Sequence, residues 1–335
     1  MQFLINPEKM KFTSFLSLVL YLCCISASCQ NKALISKTVN AFNAGDYQNC
    51  IKYANQLIEE DPSDYISWTI KGRALYNSNK REAGVNALNK AIQINPNYID
   101  AYAFRAIFAS KTMNFDTQQV ISDFDVAIKG NSSNPDLSDL NLIKLKGNFL
   151  TSINFLPQAL EEYNKYLELD PNNYFVWVYR GRVFRKLSNP GLAIADFNHA
   201  ISLNPQESFG YEERGFLYID LKQFAQAVDD FDTLIDLIES GKGDAEFADA
   251  RAFAYNNRGY AYYKFGDAQK AFQDINQSLQ MLPTNSYAYR NRALVYLMQG
   301  NEVDACNDLQ KARDLGFNKK YGNEVEDLIS KYCKT

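Results

Sequence analysis

The chain has 335 residues, 46% of them hydrophobic, with 22 Tyr and 22 Phe, which excludes an intrinsically disordered polypeptide. Its formal net charge is −4 and no basic run stands out, which argues against a general nucleic-acid binder, whose surface must neutralise phosphates. The length fits two average domains, although a repeat array escapes that estimate because each unit touches only its neighbours.

The first element in chain order is a targeting segment. After Met10, Lys11 supplies a basic start, Phe12 to Ile25 is almost wholly apolar, and the small residues Ser26, Ala27 and Ser28 stand directly before Cys29. This is the layout of a secretory signal, too short to span a bilayer comfortably. The small residues before the cysteine resemble a bacterial lipoprotein signal, which implies that Cys29 is lipidated and becomes the mature N-terminus. Ser26 stands where such signals usually carry Leu, with Ile25 one place earlier. Ordinary cleavage near Ala27–Ser28, releasing a soluble exported protein, is the alternative. Residues 1–28 are excluded from the fold, 1–9 being read as an upstream extension and Met10 as an alternative start.

Beyond Cys29 the sequence repeats. Prolines end helical segments at Pro62, Pro96, Pro171, Pro205 and Pro283, and the first and third gaps are each 34 residues. Small residues recur midway along the first helix of each unit, at Gly72, Ala106, Gly147, Gly181, Gly215, Gly259 and Ala293. Both columns show excesses of seven and ten residues in the same two places. A large residue opens each first helix (Trp68, Tyr102, Ile143, Trp177, Tyr211, Tyr255, Tyr289). A small one opens most second helices (Gly84, Ala159, Ala193, Ala227, Ala271, Ala305), and a bulky one follows a turn later (Leu88, Phe124, Tyr163, Phe197, Phe231, Ile275, Leu309). Small residues let two helices approach, large ones fill the space between them at the helical period, and proline stops the second helix.

These columns and the 34-residue period resemble the tetratricopeptide repeat (TPR) family, the cleanest match running from Tyr174 to Pro205. The resemblance implies an all-α fold, a right-handed α-solenoid of about eight helix-turn-helix units with a capping helix. It predicts a single solenoid over 29–335, with units at 31–64, 65–98, 99–139, 140–173, 174–207, 208–251, 252–285 and 286–319 and a cap at 321–333. The first unit is degenerate, with Leu34, Thr38, Cys50 and Ala54 in the key columns, as suits a terminal repeat. The third carries Val120 where a small residue belongs, two extra residues in its turn and five around Gly130–Asp139; the sixth is followed by ten extra residues around Ser240–Asp249.

Five units carry Arg just before the small residue of the first helix and Asp just before the bulky residue of the second. The pairs are Arg105 and Asp123, Arg180 and Asp196, Arg214 and Asp230, Arg258 and Asp274, and Arg292 and Asp308. Where Lys71 and Lys146 replace Arg, Ala87 and Glu162 replace Asp. Residue types that vary together between repeats predict Arg–carboxylate pairs between helices, within or across adjacent units, and an anion site is the alternative reading.

Of the remaining cysteines, Cys50 sits in a small-residue column, as core. Cys306 and Cys333 lie at similar distances from an antiparallel turn near Phe317–Lys320, which leaves two readings open: a disulfide pinning the cap, or two buried free thiols. His199 is the only histidine and has no Cys/His cluster around it, so no metal is expected. There is no phosphate-binding glycine loop and no nucleophile–His–acid constellation; no catalysis and no cofactor are expected.

The resemblance implies partner binding on the concave face, lined by first helices. Helical spacing from the core columns puts Arg73 and Tyr76, Lys144 and Asn148, and Arg182, Arg185 and Lys186 there, then Phe209 and Phe216, Tyr260 and Tyr263, and Tyr287 and Arg290. A basic middle followed by an aromatic half suits an acidic segment or a C-terminal carboxylate, whereas ordinary solvated helix surface is the plain alternative. A chaperone-tail clamp is not carried over, since only Lys144 and Asn148 fit it. The expected function is a non-enzymatic protein–protein scaffold of the bacterial cell envelope, an exported lipoprotein held at the outer membrane by its N-terminal lipid anchor and facing the periplasm or the surface, with a protein or peptide partner and no nucleic acid. A glycan-binding outer-membrane lipoprotein ranks lower because the insertions are short; an outer-membrane protein assembly factor is the third reading.

Overall fold

The computed structural model describes residues 29–333 apart from 113–114, 131, 133, 242–248 and 319–321. The targeting segment 1–28 lies outside the described residues, and of Cys29 and Gln30 only the helical backbone is described. Among the described residues there are seventeen α-helices and no strand. The chain packs as two compact units that divide between Leu169 and Asp170.

The N-terminal unit contains four helix hairpins: α1 (Cys29–Asn43) with α2 (Tyr47–Glu60), α3 (Tyr65–Asn77) with α4 (Arg81–Ile94), α5 (Ile99–Ala109) with α6 (Thr117–Gly130), and α7 (Asp139–Ser152) with α8 (Leu156–Leu169). Leu88, Phe104, Phe124 and Leu142 belong to one buried cluster shared by successive hairpins. The insertion after α6 is not a plain loop. Asn134 caps a short 3-10 turn, Pro135–Leu137, whose Leu137 is fully buried in that same cluster.

The C-terminal unit repeats the plan with α9 (Tyr174–Lys186) and α10 (Pro190–Leu203), α11 (Ser208–Asp220) and α12 (Phe224–Glu239), α13 (Ala250–Phe265) and α14 (Ala268–Met281), and α15 (Ser286–Met298) and α16 (Glu302–Asp314). A last helix, α17 (Glu324–Tyr332), packs against α16. Asn173, Asn189, Asp267, Asn285 and Asn301 accept hydrogen bonds from first-turn backbone N–H groups and so fix where their helices begin.

Two local devices make the hairpins. The first is close approach at the small column. A Cβ added to Gly181 would lie 2.6 Å from Phe197 Cε1, and one added to Gly259 would lie 2.7 Å from Ile275 Cγ1. The second is a left-handed residue between the helices, seven places after the small column in six of the hairpins. Asn79, Asn154, Ser188 and Lys222 hold φ between 56° and 65° there, and Gly266 and Gly300 take 94° and 75°. The proline and aromatic columns are also one contact. The ring N–H or O–H of Trp68, Tyr102, Trp177 and Tyr211 donates to the carbonyl of Pro62, Pro96, Pro171 and Pro205 respectively.

Gly181→Ala is expected to destabilise the C-terminal unit by about 1–3 kcal/mol, because Phe197 must leave its place. Lys222→Gly is expected to stabilise it by about 0.5 kcal/mol, relief of the left-handed strain exceeding the added chain entropy. Urea-unfolding midpoints of the two variants measure both effects.

Candidate functional site

The arginine column and the aspartate column meet inside each hairpin. Arg105, Arg180, Arg214, Arg258 and Arg292 each donate from Nε and Nη2 to the two carboxylate oxygens of Asp123, Asp196, Asp230, Asp274 and Asp308, at 2.6–2.9 Å. Nη1 of four of them reaches the preceding hairpin, at Asn89, Asn198, Asp232 and Asn276. Lys146 makes the same junction, with Glu162 in its own hairpin at 2.8 Å and Asp125 in the preceding one at 2.7 Å. The planar fork thus joins two helices of one unit and one of the unit before, so these cations work as structural ties. Lys71, whose counterpart is Ala87, lies over the Trp68 ring.

On the N-terminal unit the side chains expected in a groove are largely held by the fold. Arg73 is only 2% exposed and lies between the Phe42 and Phe104 rings, 4.6 and 4.4 Å from their centres. Burial pulls its guanidinium down to about 10, opposed by Tyr98, Asp100 and by Asp136 from the inserted turn. Arg73 is therefore not a surface residue: aromatic neighbours on both flanking first helices enclose it. Tyr76 stacks on Phe108 at 3.8 Å, Asn148 accepts from the Tyr163 hydroxyl at 2.7 Å, and Lys144 is half-buried.

On the C-terminal unit the expected residues do share the first-helix face, but the arginines are not bare. Arg182 and Arg185 flank the carboxylate of Glu213 at 3.3 and 3.6 Å, and Arg185 also reaches Asp220 at 2.7 Å. The same guanidinium groups lie over Phe209 and Phe216, 5.7 and 5.9 Å from the ring centres. Lys186 is exposed. Tyr260 and Tyr263 stack on each other at 6.0 Å, with the Lys264 ammonium over both rings. Tyr287 meets Phe317 edge-on. Arg290, 9% exposed, pairs with Glu324 of α17 and hydrogen-bonds Asn291.

Beneath this face runs a buried polar chain that the sequence reading did not foresee. Arg290 donates to Asn291, Asn291 to Asn256 at 2.9 Å, Asn256 to Asn257 at 3.4 Å, and Asn257 to Glu212 at 3.5 Å. The signal is present just before the small column: two places before it Ile70, Phe104, Leu145 and Tyr179 give way to Asn257 and Asn291, and three places before it stand Glu212, Asn256 and Arg290. Burial pushes the Glu212 carboxyl up to about 8, helped by the neighbouring Glu213 charge and opposed by Arg182. Burial raises Glu213 too, against the pull of Arg182 and Arg185.

Cys306 and Cys333 are bonded, with S–S 2.01 Å and a sequence separation of 27. Cys50 is buried, its thiol pushed up to about 12 by desolvation. His199 is exposed, its ring 4.2 Å from that of Trp177. Among the described residues no group of three or more His, Cys, Asp and Glu side chains is placed to hold a metal ion.

A tetratricopeptide repeat model matches residues 65–98, 176–207 and 254–285, and a protein prenyltransferase alpha subunit repeat model matches residues 156–187. Tetratricopeptide repeat protein 36 of Xenopus tropicalis is 37% identical over 70 residues, which are 20% of this chain and 35% of that protein. The chain thus spans about a third of the length of that curated relative. A tetratricopeptide repeat protein from Parabacteroides merdae is similar in structure, with 17% identity, a TM-score of 0.53, and coverage of 90% of this chain and 100% of the other. Yeast Tom70 is similar with 15% identity, a TM-score of 0.57, and coverage of 92% and 65%. The chain carries tetratricopeptide repeats, and its fold is an all-α solenoid of them.

Asp230→Ala, which strips the Arg214 fork of its partner, is expected to cost about 3 kcal/mol. Replacing both residues by Leu is expected to cost less, and a urea-unfolding double-mutant cycle gives the coupling. Glu212 keeps its proton in the folded state up to about pH 8, whereas the unfolded carboxyl loses it near 4.5. Its contribution is therefore fullest below 4.5 and is lost as pH rises towards 8, by at most about 1.4 kcal/mol per pH unit. Glu212→Gln is expected to flatten that slope in stability measured from pH 4.5 to 8.5.

Proposed function

We propose that this chain is a non-enzymatic interaction scaffold of the bacterial cell envelope, tethered by lipid at Cys29, that holds an extended protein segment along the faces of its first helices. The observation that carries this reading is the row of aromatic side chains, each with a cation over it, presented by successive first helices of the C-terminal unit. The pairs are Arg182 with Phe209, Arg185 with Phe216, Lys264 with Tyr260 and Tyr263, and Arg290 with Tyr260, and Phe216 and Tyr260 occupy the same repeat position. A ligand that is itself extended can meet such a row side chain by side chain, and rigid rings give contact area at small entropic cost. Because Glu213 and Asp220 already neutralise Arg182 and Arg185, the face is better suited to mixed aromatic and polar segments than to a polyanion. The envelope location rests on the signal at residues 10–29. The assembly-factor reading is a narrower form of the same function. The glycan reading is disfavoured by Lys264, which lies over both tyrosine rings where a sugar would stack.

A photo-cross-linking residue at position 263 is expected to trap a partner in envelope preparations, while one at position 229, exposed on the second helix α12, is not. Equal trapping at both positions removes the support for the groove. Cys29→Ser is expected to move the chain from the membrane fraction to the soluble one; unchanged fractionation rejects the lipid tether.

A further inference from the structure

Arg290 differs from the arginines of the ladder in one respect. Each of those uses Nε and Nη2 together on one carboxylate. In Arg290 only Nη2 meets Glu324, and Nε is buried without a hydrogen-bond partner. Its fork is nevertheless fixed: Nη1 is held by Asn291 at 2.7 Å, Asn291 is held by Asn256, and the Tyr260 ring lies 5.3 Å away. Glu324, by contrast, has a side chain 47% exposed. The guanidinium is thus preorganised for a side-on carboxylate, and the carboxylate that covers it uses half of what is offered and faces water.

Glu324 stands in the first turn of α17, a helix of nine residues, too short to persist alone in water. What seats it is Val325, fully buried, with Leu328 and Ile329 against Leu309, Ala312 and Phe317, and the Cys306–Cys333 bond at its far end.

We propose that α17 is a disulfide-held latch: it closes a carboxylate-binding site at Arg290 with the chain's own Glu324, and the opened site takes an Asp, Glu or C-terminal carboxylate of a peptide partner. This rests on the reading of the first-helix face as a peptide groove and gives that groove an acidic anchor at its end. Opening by reduction consumes two electrons and two protons. A dithiol reductant cleaves the Cys306–Cys333 bond to two thiols and becomes a disulfide itself. The incoming carboxylate then takes Nε and Nη2 together.

The test uses the full chain and two fluorescein-labelled peptides, one ending in Asp-Glu with a free carboxylate, the other in Asn-Gln amide, read by fluorescence anisotropy. The oxidised protein is expected to bind the acidic peptide weakly. Reduction by dithiothreitol, or Glu324→Gln in the oxidised protein, is expected to tighten it at least tenfold and to leave the neutral peptide unchanged. Asp327→Asn, in the same helical turn, is expected to give no gain. Arg290→Gln or Arg290→Lys added to Glu324→Gln is expected to abolish the gain, the lysine because it lacks the fork. No gain from Glu324→Gln, an equal gain for the neutral peptide, or a gain that survives Arg290→Lys each overturns the latch. Cross-linking at position 263 reports separately on the groove: trapping there without any effect of Glu324→Gln rejects the latch and keeps the groove, and the converse keeps the latch and rejects the groove.

Discussion

The structure depends on how closely two helices approach where one of them has almost no side chain. At Gly181 the backbone of α9 lies against the Phe197 ring, and Gly215 lies against Phe231 in the same way. That contact fixes the axial register of the hairpin, because a shift by one residue would drive a Cβ into the ring. The register then places the residue before the glycine opposite the residue before the phenylalanine. Those are the arginine and the aspartate, so at these glycines the close approach brings the fork onto its carboxylate. The ion pairs inherit their geometry from packing and add a directional tie to the preceding hairpin.

The repeating skeleton was legible because its constraints recur. A period of 34 and a small residue in a fixed place need no knowledge of any neighbour, and Arg and Asp varied together because they touch. Other parts were illegible for physical reasons. The left-handed turn position is filled by Asn, Ser, Lys and Gly in different units, so no single residue type marks it. The insertion after α6 shows in the sequence only as extra length, and nothing there marks Leu137 as the residue that anchors it in the core. Arg73 was assigned to the surface from its helical position alone, whereas its burial depends on Phe42 and Phe104, which lie more than thirty residues away on either side.

The same limit applies to charge on the first-helix face of the C-terminal unit. Helical position puts Arg182, Arg185 and Arg290 on that face, where Arg290 is buried. The structure also supplies Glu213, Asp220 and Glu324 as their partners, carboxylates from the helix two elements further along the chain. A one-helix projection shows a cationic stripe; stacking turns it into ion pairs over aromatic rings. The polar chain from Glu212 to Arg290 adds a specific hydrogen-bonded register to first helices that would otherwise pack through apolar side chains alone.

The contact between ring and proline carbonyl has an optical side. The chain has two tryptophans, and each occupies the same structural position, one in each compact unit: Trp68 donates to Pro62, and Trp177 donates to Pro171. Each indole is held by a proline carbonyl six residues before it within its own unit, so its emission follows the folding of that unit. Replacing either tryptophan by tyrosine, which fills the position in neighbouring repeats, leaves a chain in which a single native fluorophore reports on one unit at a time.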